Sequence, residues 1–275
     1  MKYTKSKIAT YLLNKEVVYM KIKKTVLIDD KGVSEIIGVI LIFGILVLFL
    51  GILQSISVPG WNREIEAAHF NIIYDDILDL RQVMQETAIF NLTRTTVLHV
   101  NIDYPTRIFL HNPPKPGATI STYNDKKISV NYSDGNPPVY YNSCTIKIKE
   151  NYNYFSAPEL IIEHGMIIGN NGHISYTIDE PLMNNKTIDL YLVECSNNSF
   201  GTTSSMNIHL FPVMISDISV NNASIEFTTE YKELWDNYRN LTKIDKDAFY
   251  EFPDQITMKY GNATRIRVFI TSIKV

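Results

Sequence analysis

The chain is poor in the residues that most reactive sites are built from. It has two cysteines, six histidines and two tryptophans in 275 residues. Its histidines, at 69, 99, 111, 164, 173 and 209, form no His-x-x-x-His pair and no Cys/His cluster, so a structural zinc module is excluded. There is no Gly-x-Ser-x-Gly elbow and no glycine-rich loop ending in Lys-Ser/Thr, which removes the usual hydrolase and phosphate-loop readings. Asp75, Asp76, Asp79 and Glu86 lack the twelve-residue loop with a central Gly that an EF-hand needs, and read as a solvated helix face. A basic surplus is also missing: the formal charge is -3 and the pI near 6.1, so no nucleic-acid partner is expected. No cofactor, bound metal or enzymatic activity is expected either. His164 and His173 flank an expected hairpin and read as an exposed strand pair.

What is present is a long oily run. Ile36 to Leu53 reads IIGVILIFGILVLFLGIL, eighteen residues without a charge. As a helix it is about 27 Å long, close to the roughly 30 Å of a bilayer's hydrocarbon. A core helix of this length ordinarily carries a polar face, and this run has none. Eight lysines against four acids precede Ile36, and the positive-inside tendency keeps that flank cytoplasmic. The expected topology is a single span in the lipid bilayer with the remainder of the chain outside. The run exceeds the h-region of a removable signal, and no small-x-small site follows it. Trp61 falls where an interfacial aromatic belt would lie.

Residues 29–40, DDKGVSEIIGVI, resemble the class III leader of archaeal type IV pilins and related surface proteins. In that group a basic residue and Gly precede a V-S-P-x-I-G-V-I-L-like start of the hydrophobic helix. The resemblance implies cutting between Gly32 and Val33 by a prepilin-type signal peptidase, and packing of the mature helix with other pilin-like subunits. Glu35 departs from the pattern by standing where Pro is usual. Met20 is an alternative start that would shorten the leader. The bland reading of the same residues is an uncleaved signal anchor with Gly32 in a linker. Three further stretches are similar to an uncharacterised family of archaeal pilin-like membrane proteins. They are Val58-Pro59-Gly60-Trp61-Asn62-Arg63-Glu64-Ile65-Glu66, Asp75-Asp76-Ile77-Leu78-Asp79-Leu80-Arg81, and Tyr104-Pro105-Thr106-Arg107-Ile108-Phe109-Leu110-His111-Asn112-Pro113-Pro114. That likeness implies topology and no activity.

Beyond the span, Ile65, Ala68, Ile72, Ile73, Ile77, Leu80, Met84 and Ala88 recur at threes and fours, which predicts an amphipathic stalk helix. From Thr95 the pattern changes to short alternating runs broken by turn residues such as Asn112-Pro113-Pro114, Asp134-Gly135 and Asn171-Gly172. Expected strands cover 96–103, 107–111, 127–132, 144–149, 160–163, 173–178, 187–195, 206–210, 224–228 and 264–273, with a short helix over 231–239. The fold class is therefore α+β: a long N-terminal transmembrane and stalk helix followed by a mainly antiparallel β-sandwich-like domain. The expected divisions are a Lys-rich leader over 1–32, the span over 33–58, the stalk over 59–92 and an extracytoplasmic β-rich domain over 93–275.

Seven Asn-x-Ser/Thr sequons occur, at Asn91, Asn131, Asn185, Asn197, Asn222, Asn240 and Asn262, all past the span. A random order of the same residues gives about half as many, so glycosylation and incidental occurrence both stand. Cys144 and Cys195 lie on the same side of the membrane in this topology. An oxidising exterior permits a bridge between them, and two separate thiols are the alternative. Two functions remain: a pilin-like subunit or minor pilin, or a single-pass surface binding or adhesion protein that forms no filament.

Overall fold

A computed structural model of the chain describes residues 35–132, 137–181, 187–219, 223–241, 255–260 and 265–274. The leader with its Gly32–Val33 junction lies outside them. The chain divides into two compact units: residues 1–59 together with Arg107–His111, and 60–106 together with 112–275.

Helical backbone runs from Glu35 to Phe90 (α1), and it is long and apolar enough to cross a membrane. From Ile36 to Ile52 the apolar side chains are exposed all round: Ile36 is 62% exposed, Phe43 67% and Phe49 55%. One π-helical turn, Leu53–Ser57, interrupts the α geometry, and the Val58 N–H bonds to the Leu53 carbonyl. Pro59 supplies the physical reason, since it has no N–H to return to the carbonyl four residues earlier. The helix ends at Asn91, whose φ of 51° is the left-handed stop, with the Leu92 N–H reaching back to Thr87 O at 3.3 Å.

The second unit holds twelve strands among the described residues. They are β1 (Arg94–Leu98), β2 (Ala118–Tyr132), β3 (Val139–Glu150), β4 (Glu159–Glu163), β5 (Met166–Asn170), β6 (Ser175–Asp179), β7 (Thr187–Glu194), β8 (Asn198–Thr202), β9 (Met206–Ser219), β10 (Ala223–Thr228), β11 (Gln255–Tyr260) and β12 (Arg265–Lys274). One sheet has the order β1-β9-β12-β7; the other runs β11-β10-β2-β3-β4-β5-β6, with β8 also on β2. Every pairing is antiparallel except β7 with β12. A second helix, α2 (Lys232–Leu241), lies where a short amphipathic helix is expected.

Two buried clusters draw residues from both sheets. One gathers Ile128, Val130, Ile168, Phe227, Leu190, Ile266 and Val268 around the fully buried Trp235 of α2. The other places Ile73, Ile77, Leu80 and Met84 of α1 against Leu98, Ile120, Ile146, Ile148, Leu160, Ile208 and Leu210. On β12, Ile266, Val268 and Ile270 enter the core. Arg265 and Arg267, on the opposite face, grip Asp217 and Asp189 through two nitrogens each.

The expected strand over 107–111 is absent; residues 108 and 109 form a turn. Pro105, Pro113 and Pro114 deprive this region of ladder donors. The runs at 127–132 and 206–210 are parts of the longer β2 and β9, while β5, β8 and β11 had no counterpart in the alternation pattern. The β4–β5 connection turns on His164 and Gly165, with φ of 51° and 83°, both left-handed as a two-residue hairpin of this kind requires.

Candidate functional site

The buried line Ile73, Ile77, Leu80 and Met84 of α1 in the second unit is apolar, with the buried Arg81 and Thr87 beside it. Stepping back from Ile73 by fours and threes gives His69, Glu66 and Asn62, all buried. Ala68 and Ile72, expected on the covered stripe, are exposed instead. Periodicity therefore had the right spacing and, for this lower half, the wrong face. The signal available in the sequence was the helical line extended backwards through polar positions.

Glu66 is fully buried and its carboxylate is saturated. Oε1 accepts from the Asn153 N–H at 3.0 Å and from the Tyr104 hydroxyl; Oε2 accepts from the N–H groups of Tyr154 and Phe155 at 2.8 and 2.7 Å. Three consecutive amides aimed at one carboxylate order the loop after β3. The Tyr104 hydroxyl is held protonated, its pKa raised first by burial and then by its bond to Glu66. His69 is occupied at both nitrogens. His99 O lies 2.8 Å from Nε2, which must donate, so Nδ1 accepts from the Tyr152 hydroxyl at 2.7 Å. Burial lowers the His69 pKa and keeps the ring neutral in this tautomer. Neither Glu66 nor His69 retains an open valence for acid–base work.

Glu150, the last residue of β3, differs. It is 7% exposed, and its Oε1 is buried without a hydrogen-bond partner. Burial alone pushes its pKa up to about 7. Residues 149–157, including Asn151, Tyr152, Asn153, Tyr154 and Phe155, line a cavity of about 440 Å³ beside it. Amides, aromatic rings and one protonatable carboxyl make a wall that can meet a polar ligand through hydrogen bonds and ring faces. It contains no nucleophile paired with a base.

A second polar cluster lies under α2. Glu163 is fully buried, accepting from the Thr229 hydroxyl and from Trp235 Nε1 at 3.3 Å, with Lys126 Nζ 3.7 Å away. Lys126 also meets Glu230 at 3.1 Å and Asp125 at 3.3 Å. Burial opposes its charge, but these three carboxylates outweigh that and raise its pKa. His164 is buried, not part of an exposed strand pair as expected. Its Nε2 donates to Thr228 O at 3.0 Å and its ring lies edge-on to Phe227 and Trp235. Burial lowers its pKa. His173 is exposed, at the other end of β5, so the two rings are not brought together. This cluster docks α2 on its sheet.

The aspartates of α1 are not uniformly solvated either. Asp76 accepts from the His99 N–H at 2.7 Å and Asp79 from the Thr96 hydroxyl at 2.6 Å, fastening β1 and the residue after it to the helix. Among the described residues no group of three acidic, histidine or cysteine side chains could hold a metal. Cys144 and Cys195 are joined in a disulfide with Cα atoms 6.0 Å apart. Of the sequons, Asn91 and Asn197 are exposed and Asn131 is half-buried on β2. Asn197 Oδ1 accepts from the Asn124 N–H at 2.6 Å. The side chains of Asn185, Asn222, Asn240 and Asn262 lie outside the described residues.

Fold and sites together define an α+β protein with, among the described residues, one helix long and apolar enough to cross a membrane and a mainly antiparallel, disulfide-bonded domain. No family model matches the chain, and no solved structure does. It is similar to an uncharacterised protein of Archaeoglobus fulgidus, 29% identical over 205 residues that make up 72% of this chain and 35% of that protein. The chain thus spans about a third of that relative's length.

Proposed function

We propose that the protein is a membrane-anchored, pilin-like surface subunit of a type IV pilus-like assembly. The observation that carries this reading is the outward-facing apolar surface of α1, from Ile36 at 62% exposed through Phe43 at 67% to Ile52 at 46%. Such a surface needs lipid, or the equivalent helices of other subunits, to cover it. In this reading a prepilin-type peptidase cuts after Gly32, and α1 is held first in the bilayer and then in a filament. The disulfide-bonded domain faces outside, with its two sheets packed as a β-sandwich, and the exposed Asn91 and Asn197 are glycan acceptors.

Mass spectrometry of the chain purified from native membranes tests it. A mature terminus at Val33, together with recovery of the chain in sheared filaments, is the expected result. A soluble, unprocessed chain would refute it. The polar and aromatic cavity beside Glu150 favours a second reading, in which the protein remains a single-pass adhesion or binding protein. An intact leader, with the chain in membranes but never in filaments, selects that alternative.

A further inference from the structure

Residues Arg107–His111 belong to the same compact unit as the apolar helix, separated from the strands on either side of them in sequence. The link is specific. Gln54 Nε2 donates to His111 O at 2.8 Å, and the His111 N–H donates to Gln54 Oε1 at 2.8 Å. One side-chain amide thus satisfies both backbone groups of one loop residue, as a strand neighbour would. Gln54 is the first polar residue after the eighteen-residue apolar run, and it lies within the π-helical turn. Single π turns of this kind are commonly found where a helix does something besides packing.

At the tip of this loop stand Ile108 and Phe109, 82% and 83% exposed, the most exposed large apolar side chains among the described residues. Phe109 has a φ of 65°. The left-handed region disfavours an aromatic residue, so something must gain from holding it there. A pair of bare apolar side chains on a strained turn, kept in place by two hydrogen bonds, has no purpose in water.

We propose that Ile108 and Phe109 form a second membrane contact: a loop clasped to α1 at its exit from the lipid, with both side chains inserted at the bilayer interface. This rests on the membrane-anchor reading above. The occupant is lipid because the loop is continuous with the apolar span. If Ile36–Leu53 fills the hydrocarbon, Gln54 stands at its boundary, and what Gln54 holds stands there too. Two insertion points restrain rotation and tilt about the anchor in a way that a lone helix does not.

The test uses the full chain in phosphatidylcholine vesicles, with one engineered cysteine carrying an environment-sensitive nitrobenzoxadiazole probe. The native cysteines are sequestered in their disulfide. The probe is placed by Phe109→Cys, by Val47→Cys within the apolar run, or by Tyr140→Cys, a 72% exposed position on β3. The expected result is a blue-shifted Phe109→Cys probe that loses most of its emission to lipids spin-labelled near the headgroup. The Val47→Cys probe should be quenched by deep labels and the Tyr140→Cys probe by neither. Adding Gln54→Ala should return the position-109 probe toward the Tyr140→Cys value.

A position-109 probe as wet as the one at 140, with the one at 47 quenched, overturns the loop contact and leaves the anchor standing. A probe at 109 that is blue-shifted but insensitive to labelled lipid means a protein partner and also overturns the proposal. If the probe at 47 is unquenched, the anchor fails and the loop contact with it.

Discussion

Glu66 offers the sharpest test of how the second unit is held together. Its side chain is fully buried, and its two oxygens accept from three backbone N–H groups and one phenol. Glu66→Ala leaves all four donors without an acceptor. A stranded buried donor costs about 1–3 kcal/mol. Asn153 and Tyr154 are exposed and Tyr104 and Phe155 only half-buried, so water can reach all four donors and the low end applies to each, giving about 4 kcal/mol in all. For a domain of this size that lowers Tm by ~8–16 °C. Glu66→Gln keeps one acceptor oxygen but turns an NH₂ group toward donors, and should cost about half as much. The assay is thermal unfolding of the full chain in detergent, followed by near-ultraviolet circular dichroism, with the exposed Glu64→Ala as the control. If Glu66→Ala melts within a degree or two of Glu64→Ala, the carboxylate does not organise the loop and the reasoning is wrong.

Gly117 is closed in by backbone: a Cβ there would sit 2.6 Å from Thr202 O. Gly117→Ala should therefore cost ~1–3 kcal/mol and selectively speed amide exchange on β8, while the β9–β12 pairing is unaffected. The Cys144–Cys195 bridge closes a loop with a sequence separation of 51, so Cys144→Ser/Cys195→Ser should lose about 4 kcal/mol in the chain-entropy model. Equal melting of the reduced and oxidised chain would refute that. Glu150 keeps its proton in the folded state up to about pH 7, while the unfolded carboxyl releases it near pH 4.5. Stability attributable to Glu150 accordingly falls as pH rises from 4.5 to 7, and Glu150→Gln removes that slope. His69 and His164, with pKa lowered by burial, act in the opposite sense, their contribution being complete above pH 6.5 and lost as pH falls below it. Chemical denaturation of Glu150→Gln across pH 5–8 should therefore show stability rising with pH more steeply than in the parent chain.

The sequence carried the apolar helix and most of the strands because both depend on local signals. A run without a charge needs no tertiary information to be recognised. Alternation such as Ile266, Val268 and Ile270 against Arg265 and Arg267 directly marks a strand with one buried face. β5 was harder to recognise. Met166, Ile167, Ile168 and Gly169 are buried on both faces, so the run does not alternate. The turn before it uses His164 at positive φ, a residue that gives little turn signal. The opposite failure occurred at 107–111, where apolar alternation predicts a strand. Its backbone instead answers to Gln54, fifty-seven residues away, through a partnership no local pattern encodes.

The foot of the helix shows why polar burial escapes such reading. Asn62, Glu66, His69, Ile73, Ile77, Leu80 and Met84 form one continuous line on α1, all buried, and only its upper part is oily. Apolar residues reveal burial because water rejects them wherever they are. A carboxylate is buried only because amides 153–155 and Tyr104 meet it, and those partners come from distant segments. Geometry also distinguishes the two parts of the line. Apolar contacts tolerate a helix sliding or rotating by a fraction of a turn, whereas four donors converging on Glu66, and one donor and one acceptor on His69, do not. The apolar part of the line thus supplies most of the affinity between α1 and the strands, and the polar part sets their register.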